Sequence, residues 1–134
     1  MPHNQPLRLV LDEDLSWKIS PELQARGYAD TTSAWEWGIA GRKVKDPLWL
    51  YIIAREGTPS VLVTFDNKMT AVHRAAIQRR NSTLAVIDSK ADRRMLTREE
   101  YTREVAHKWA HRMAAQSPGS RYKYTLRGRR AIKI

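Results

Sequence analysis

Three aspartates in this chain stand where they could hold a divalent cation. Asp12, Asp66 and Asp88 each come directly after a short run of apolar residues, and such runs are typical of parallel strands that are covered on both faces. The carboxyl ends of parallel strands share one edge of a sheet, where ligands bind in a crevice. Carboxylates gathered there would repel one another, and Mg²⁺ or Mn²⁺, which prefer oxygen ligands, would relieve that repulsion.

The segments that would position these acids alternate between strand and helix patterns. Asp46 begins one helix, with Pro47 in its first turn and Gly57 at its end, and this helix is predicted to be largely buried because it is apolar almost all round. It precedes the second apolar strand, so the Asp46 carboxylate is expected at the same edge as Asp12. The predicted strands are residues 7–11, 60–65 and 83–87, with a weak candidate at 28–33, and the predicted helices are residues 20–27, 46–57, 70–80 and 97–116.

Two of the helices carry end signals. Ser20 is predicted to cap the first helix, which Gly27 closes in a left-handed conformation. Thr97 and Glu100 have the spacing of a capping box at the start of the last helix. Alternating strands and helices predict a three-layer α/β/α domain with a mainly parallel central sheet joined by right-handed crossovers.

Length and composition limit the kinds of protein that this chain can be. A chain of 134 residues with 42% hydrophobic residues suits one globular domain. It has no cysteine, which excludes disulfides and thiolate chemistry and suits the reducing cytoplasm. The apolar run before Asp12 is too short for a signal peptide or a membrane span, so a soluble cytoplasmic protein without a membrane partner is expected.

Positive charge is concentrated in the second half of the chain. Residues 1–66 hold nine acids and seven bases, whereas residues 67–134 hold five acids and seventeen bases, which accounts for the net charge of +10. Such asymmetry favours a nucleic-acid partner, although an anionic membrane or an acidic protein would also be attracted.

Two stretches of the sequence resemble a known family. They are LVLDEDLSWKISPELQARGY and KDPLWLYIIAREGTPSVLVTFDNKM, and together they resemble the PIN-like ribonuclease superfamily, especially its short members and VapC-type toxins. In that family an aspartate ends the first strand, a second opens a helix, and a Thr-x-Asp motif ends a later strand. The matching positions are Asp12, Asp46, and Thr64 with Asp66, within residues 7–69.

The chain departs from this family pattern at two places. The acid that usually follows the Thr-x-Asp motif falls at or near Lys68, and the usual acid on a helix between strands two and three has no clear counterpart, for which Glu36 is a candidate substitute. Short members often begin Asp-Glu-Asn, so Asp14 stands at the asparagine position and would supply part of the missing negative charge. Asp88 matches no position of the pattern and is set aside.

The resemblance implies a metal-dependent ribonuclease, and more narrowly the toxin of a bacterial type II toxin–antitoxin pair. Asp12, Asp46 and Asp66 would bind one or two Mg²⁺ or Mn²⁺ ions that activate a water, with Asp14 beside them and Thr64 positioning a water or a carboxylate. An RNA substrate, an antitoxin that blocks the site and a homodimer are implied in the same way. Candidate RNA-binding residues are Arg79, Arg80, Arg93, Arg94, Arg121, Lys123, Arg127, Arg129 and Arg130. The PIN-like domain would span residues 1–116, followed by a basic tail, 117–134, that forms a strand or a flexible arm.

Other interpretations stay open on the sequence alone. Lys68 could occupy the acidic pocket as an internal cation, which would make the protein a non-catalytic module that binds RNA or a partner. A phospho-acceptor receiver domain is a third hypothesis, because its fold also places acids after the first strand, although the usual Lys-Pro is missing from VIDSKAD. Taken singly, Asp12 and Asp46 also fit helix caps, and Asp66 fits a turn.

Aromatic and histidine residues carry weaker signals. Trp49 and Trp109, at helical spacing among aliphatic residues, are predicted to lie in the core. Trp35 and Trp37, in a loop, could stack on bases or meet a protein partner. Two histidines four apart on the last helix lack the glutamate of a zinc-protease motif and are predicted to be surface or partly packed residues.

Overall fold

The computed structural model describes residues 6–38, 46–65, 72–88, 96–128 and 130–134, with Asp46 and Pro47 described in their backbone only. Its strands are β1 (Arg8–Leu11), β2 (Thr32–Ser33), β3 (Ser60–Thr64), β4 (Leu84–Ile87), β5 (Arg121–Tyr124) and β6 (Ile132–Lys133). Its helices are α1 (Ile19–Ala25), α2 (Asp46–Glu56), α3 (Arg74–Arg80) and α4 (Arg98–Ala114). The fold is therefore mixed α/β, as the sequence predicts.

The six strands form one sheet in the order β2-β1-β3-β4-β5-β6. Neighbouring strands are parallel from β2 to β5, and β6 is antiparallel to β5. The prediction of a mainly parallel sheet is confirmed. The basic C-terminal segment, for which a strand and a flexible arm were both open, supplies β5 and β6 of this same sheet.

The direction in which the chain adds strands reverses after β2. From β1 the chain passes to β2 on one side, and it then crosses to β3, which pairs with the other side of β1. Connections that leave a sheet in opposite directions open a crevice outside the carboxyl ends of the two strands between them. The carboxyl ends of β1 and β3 are therefore the edge at which this fold favours a ligand.

Alternate residues of the central strands enter two hydrophobic clusters. Leu9 and Val63 pack in one cluster with residues of α1 and α4, whereas Val10 and Leu62 pack in the other with residues of α2 and α3. Successive side chains of a strand point to opposite faces, so the two clusters lie on opposite faces of the sheet. Cover on both faces explains the unbroken apolar sequence of β1 and β3.

Helix α1 begins earlier than the sequence indicates. The prediction that Ser20 caps it is wrong, because Ser20 lies inside the helix, fully buried, with its hydroxyl 3.5 Å from the carbonyl of Thr31. The reason is packing. Ile19 and Leu23, four residues apart, are both buried in the core, and the helix begins at Ile19 so that both side chains lie on its buried face. Gly27 follows the helix at φ 107°, as predicted.

Helix α2 is buried on one side only. Trp49 and Leu50 are buried, but Leu48 is 51% exposed and Glu56 is also exposed. The expectation of a largely buried helix is wrong, because only the face that carries Trp49 and Leu50 meets the sheet. No helix in the described part of the chain is long and apolar enough to cross a membrane.

The capping box predicted at the start of α4 is present. Thr97 Oγ1 accepts a hydrogen bond from the Glu100 amide at 3.1 Å, and Glu100 Oε1 accepts one from the Thr97 amide at 2.8 Å. Thr97→Ala should lower the free energy of unfolding by about 1 kcal/mol, because the Glu100 amide loses its partner. Thr97→Ser keeps the hydroxyl and should restore most of this in urea denaturation, whereas equal losses in both variants would contradict a capping role.

Candidate functional site

Asp12 lies at the carboxyl end of β1 and is almost fully buried. It is 6% exposed, and its amide donates a hydrogen bond to the carbonyl of Val63 at 2.9 Å, which ties it to β3. Its Oδ1 accepts from the Glu13 amide at 2.8 Å, and its Oδ2 accepts from the Thr64 hydroxyl at 2.8 Å. Neighbouring donors therefore hold both carboxylate oxygens in place.

Asp14 turns back toward the same strand end. The turn is closed by a hydrogen bond from the Leu15 amide to the Asp12 carbonyl at 3.1 Å. The Asp14 carboxylate accepts from the Phe65 amide at 3.1 Å and lies 3.3 Å from the Thr64 hydroxyl. Thr64, itself fully buried, thus stands between two carboxylates with one hydroxyl proton to donate. We term Asp12, Asp14 and Thr64 the acidic cluster.

Burial and like charge disfavour ionisation in the acidic cluster. The pKa of Asp14 is raised from an ordinary value of 3.8 to about 7, first by burial and then by the negative charge of Asp12. The Phe65 amide, the Arg98 guanidinium and the Thr64 hydroxyl lower this pKa without cancelling the rise. Burial and the neighbouring charge of Asp12 therefore disfavour a full negative charge on Asp14 near neutral pH.

The acidic cluster supplies carboxylate and hydroxyl oxygens, which are the donor type that hard divalent cations prefer. Mg²⁺ is usually held by one or two carboxylates while it keeps several waters, and adjacent carboxylates whose repulsion raises a pKa gain most from a cation. Among the described residues, no three His, Cys, Asp or Glu side chains form a group that could hold a metal. The Asp46 side chain and the whole of Asp66, both expected as ligands, lie outside the described part of the chain, as does Lys68. The described site therefore supplies a carboxylate pair.

Two further acids considered from the sequence have partners of their own. Asp88 follows β4, and its Oδ2 lies 3.7 Å from the ammonium of Lys123. Glu36 is exposed, and its Oε2 accepts a hydrogen bond from the hydroxyl of Thr32 at 3.2 Å. Within the described residues, neither joins Asp12 in a group of three acids that could hold a metal.

Arg98 is a residue of the site that the sequence analysis missed. It is the first residue of α4, its guanidinium donates to the Asp14 carbonyl at 3.4 Å, and it lies 4.8 Å from the centre of the Phe65 ring. The side chain is exposed, so an anion can reach it beside the acidic cluster. The sequence feature that could have identified Arg98 is its position at the start of a helix, because a helix that follows a parallel strand begins at the carboxyl ends of the strands.

Part of the basic set expected to bind RNA lies at the opposite edge of the sheet. Arg80 ends α3 and Arg121 begins β5, so both stand at the amino ends of the strands. Arg80 lies 4.5 Å from the centre of the Tyr51 ring, and Arg121 donates to the Ser82 carbonyl at 3.4 Å. These residues, and the exposed Arg79 beside them, are poorly placed to contact a phosphate at the acidic cluster.

Other basic residues lie at the same edge as the acids. Arg127 and Arg130 are exposed in the connection from β5 to β6, which starts at the carboxyl edge. Strand β5 is three positions from β1 in the sheet, or about 14 Å at the usual strand spacing. A bound RNA strand could span that distance, whereas Lys123 is engaged with Asp88. Arg93, Arg94 and Arg129 lie outside the described residues.

Several aromatic and histidine side chains have structural partners. Trp49 and Trp109 are buried, as predicted. On the α1–α4 surface, His107 Nε2 lies 2.9 Å from Glu22 Oε1, and its Nδ1 lies 2.6 Å from the Arg26 guanidinium. Both nitrogens of that ring are thus engaged by neighbouring side chains.

Comparisons with known proteins give no match, whether with protein-family models, with curated proteins or with solved structures.

Proposed function

We propose that the protein is a Mg²⁺- or Mn²⁺-dependent endoribonuclease with a three-layer, PIN-like α/β architecture. The observation that carries the proposal is the carboxylate pair of Asp12 and Asp14, bridged by Thr64 at the carboxyl ends of β1 and β3. The strand order reverses at this edge, which is where open α/β sheets bind ligands. A divalent cation held there would neutralise the charge that develops on a phosphodiester during cleavage.

The charge distribution supports a polyanionic substrate. The chain carries a net charge of +10 and still places two acids side by side at a buried strand end. Adjacent like charges destabilise a fold, and strongly perturbed carboxyl groups are typical of functional sites. A divalent cation at the acids and a phosphate-bearing substrate would account for both the acidic pair and the positive net charge. The acids would hold the cation, and the basic residues would contact the phosphates.

The residues of the cluster have separate roles in this proposal. Thr64 donates to Asp12 and lies beside Asp14, so it fixes the spacing of the two carboxyl groups. The Phe65 amide orients Asp14, and Arg98 presents a guanidinium for a non-bridging phosphate oxygen. A bound divalent ion supplies Lewis-acid activation of the phosphate and of a water. By the family resemblance, Asp46 and Asp66 would complete the ligand set.

The proposal extends to a cytoplasmic toxin of a type II toxin–antitoxin pair. This step rests on the resemblance of the Asp12, Asp46 and Thr64-x-Asp66 motifs to VapC-type toxins. A cognate antitoxin would then block the acidic cluster, and a homodimer is expected from the same resemblance. Expression of the protein should arrest growth, and an equal arrest by the Asp12→Asn variant would argue against toxicity through RNA cleavage.

Metal dependence tests the nuclease proposal directly. Purified protein should cleave fluorescently labelled RNA in Mg²⁺, EDTA should stop the reaction, and an excess of Mg²⁺ should restore it. The products are resolved on a denaturing gel, so that internal cuts are distinguished from trimming of the ends. Intact RNA in the presence of Mg²⁺ and Mn²⁺, or cleavage that continues unchanged in EDTA, would overturn the proposal.

A phospho-acceptor receiver domain is the second candidate, and the strand order favours it. The order 2-1-3-4-5 found here for β1 to β5 is also that of receiver domains. Against this function, β5 ends at Tyr124 and is followed by Thr125 rather than by the usual Lys-Pro. Incubation with a small acyl phosphate and Mg²⁺ discriminates the two, since a receiver would gain one phosphoryl group in intact-protein mass spectrometry and leave RNA uncut.

A further inference from the structure

We propose that two exposed tryptophans beside the acidic cluster, Trp17 and Trp35, form a stacking platform for an unpaired nucleobase. This inference rests on the proposed nuclease function and deepens it, because it gives the substrate class as single-stranded RNA or an unpaired loop. Among the described residues, the exposed large hydrophobic side chains include two aromatic ones, and these are Trp17 and Trp35. Trp17 lies in the loop that follows β1, and Trp35 lies in the loop that follows β2. They are the only two exposed tryptophans among the described residues.

Trp35 is fixed to the turn that carries the acids. Its Nε1 donates a hydrogen bond to the Leu15 carbonyl at 2.9 Å, and Leu15 directly follows Asp14 in the chain. The amide of Leu15 in turn donates to the Asp12 carbonyl. Trp35 is nevertheless 46% exposed. One hydrogen bond thus ties a partly exposed indole ring, from the loop after β2, to the turn that carries the two carboxylates.

Trp37 and Trp49, two other tryptophans near Trp35, are covered by neighbouring side chains. Trp37, two residues further on, packs edge-on against the buried Trp49 with ring centres 5.2 Å apart, and the Arg8 guanidinium covers it at 5.3 Å. Trp35 and Trp17 instead leave about half of their surface uncovered, at 46% and 58%, which forgoes about 2 kcal/mol of burial for each ring. Exposed aromatic rings beside a candidate active site are available to stack on a ligand.

Cations border the platform. Trp17 is 58% exposed, and the ammonium of Lys18 lies 6.0 Å from its ring centre and 3.9 Å from a carboxylate oxygen of Glu99, in an exposed ion pair that binds only weakly. Arg98 reaches the same acidic turn through the Asp14 carbonyl and lies over the Phe65 ring. Aromatic rings interleaved with lysine and arginine are how proteins bind single strands, because the rings stack on bases while the cations contact phosphates.

Stacking selects an unpaired base. In a duplex, neighbouring bases cover both faces of each base, so an indole can stack only on a base that has left the helix or stands at its end. A base seated on Trp35 would bring its adjoining phosphodiester toward the turn that carries Asp12 and Asp14. A protein partner could also cover exposed tryptophans, but the carboxylate pair on this turn and the Arg98 guanidinium beside it favour a nucleotide.

Binding in the absence of cleavage tests the platform. The probe is a fluorescein-labelled single-stranded RNA of about ten nucleotides, and its affinity for the full-length protein is measured by fluorescence anisotropy in EDTA. Trp35→Ala should weaken binding by about 5- to 150-fold, the equivalent of the 1–3 kcal/mol of one base stack. Trp35→Phe keeps a ring and should retain most of the affinity. Leu48→Ala, at an equally exposed apolar position on α2, should bind as the wild type does.

The outcomes separate this inference from the nuclease proposal. Wild-type affinity in Trp35→Ala, absence of RNA binding by the wild type, or tighter binding of the same sequence as a duplex would each overturn the platform. Should Trp35→Ala fail to fold, as judged by circular dichroism, Trp17→Ala carries the same comparison. Cleavage by a protein whose binding ignores Trp35 would leave the nuclease without the platform, whereas Trp35-dependent binding without Mg²⁺-dependent cleavage would leave the platform without the nuclease.

Discussion

Asp12→Asn should lower the rate of RNA cleavage in Mg²⁺ by about 10²- to 10³-fold. Asp12 is buried at the end of β1, and its Oδ2 accepts a hydrogen bond from the Thr64 hydroxyl. Asparagine has nearly the same shape but no negative charge, so it would weaken the hold on a divalent ion and on the transition state that the ion neutralises. A single-turnover cleavage assay with labelled RNA measures the ratio of rates.

The same variant should be at least as stable as the wild type. The side-chain oxygen of an asparagine can still accept the hydrogen bond from the Glu13 amide. Removal of one charge also removes the repulsion that contributes to the raised pKa of Asp14. The loss of cleavage should therefore come with an unchanged or higher melting temperature, and a lower melting temperature would point to unfolding rather than to catalysis.

Asp88→Asn is the matched control for this experiment. Asp88 follows β4 as Asp12 follows β1, but its carboxylate pairs with Lys123 at 3.7 Å. The control variant should cleave RNA within a few-fold of the wild-type rate. Wild-type cleavage by Asp12→Asn, or an equal loss of activity in both variants, would contradict the role assigned to Asp12.

Asp14→Asn should stabilise the protein above neutral pH in EDTA by about 2–4 kcal/mol. The pKa of Asp14 is raised from 3.8 to about 7 by burial and by the charge of Asp12. At a pH between 3.8 and about 7, Asp14 of the folded protein keeps a proton that the unfolded chain releases. The free energy of unfolding of the wild type therefore falls as the pH rises through this range. One pKa unit corresponds to about 1.4 kcal/mol, which sets the upper end of the expected gain.

Urea denaturation of both proteins at about pH 4 and about pH 8 measures this difference. At the lower pH, Asp14 is protonated in the folded state and about 40% protonated in the unfolded chain, so the two stabilities should differ by less than about 1 kcal/mol. At the higher pH, the variant should be the more stable protein, and Mg²⁺ should narrow the gap because a bound cation replaces the missing proton. A difference that is constant across the pH range would contradict a charge-based origin.

The secondary structure was largely predictable because its signals are local. The apolar runs that form β1, β3 and β4 lie within two residues of their predicted bounds, since strands covered on both faces need unbroken apolar sequences. The Thr97 capping box formed because its donors and acceptors all lie within one turn of the chain. The cap predicted at Ser20 failed because burial of Ile19, a tertiary contact, moved the start of the helix.

The candidate site was predictable only in part. Its placement at the ends of apolar strands followed from the sequence, and so did the choice of Asp12, Asp14 and Thr64. The position of Arg98 at the start of α4 placed it at the carboxyl ends of the strands, but its contact with Asp14, 84 residues away in the chain, depends on where α4 begins relative to β1. Arg80 was chosen for its charge and proved to lie at the opposite edge of the sheet.

By itself, the sequence determined which segments become strands and that Asp12 follows the first of them, because the apolar pattern that marks a strand is carried by residues that are close in the chain. Only the tertiary structure decided that Thr64, 52 residues further on, donates to Asp12, and that the strand order reverses between β2 and β3. The physical reason is that strand order depends on how all the helices cover the two faces of the sheet together, which no single segment of the chain encodes.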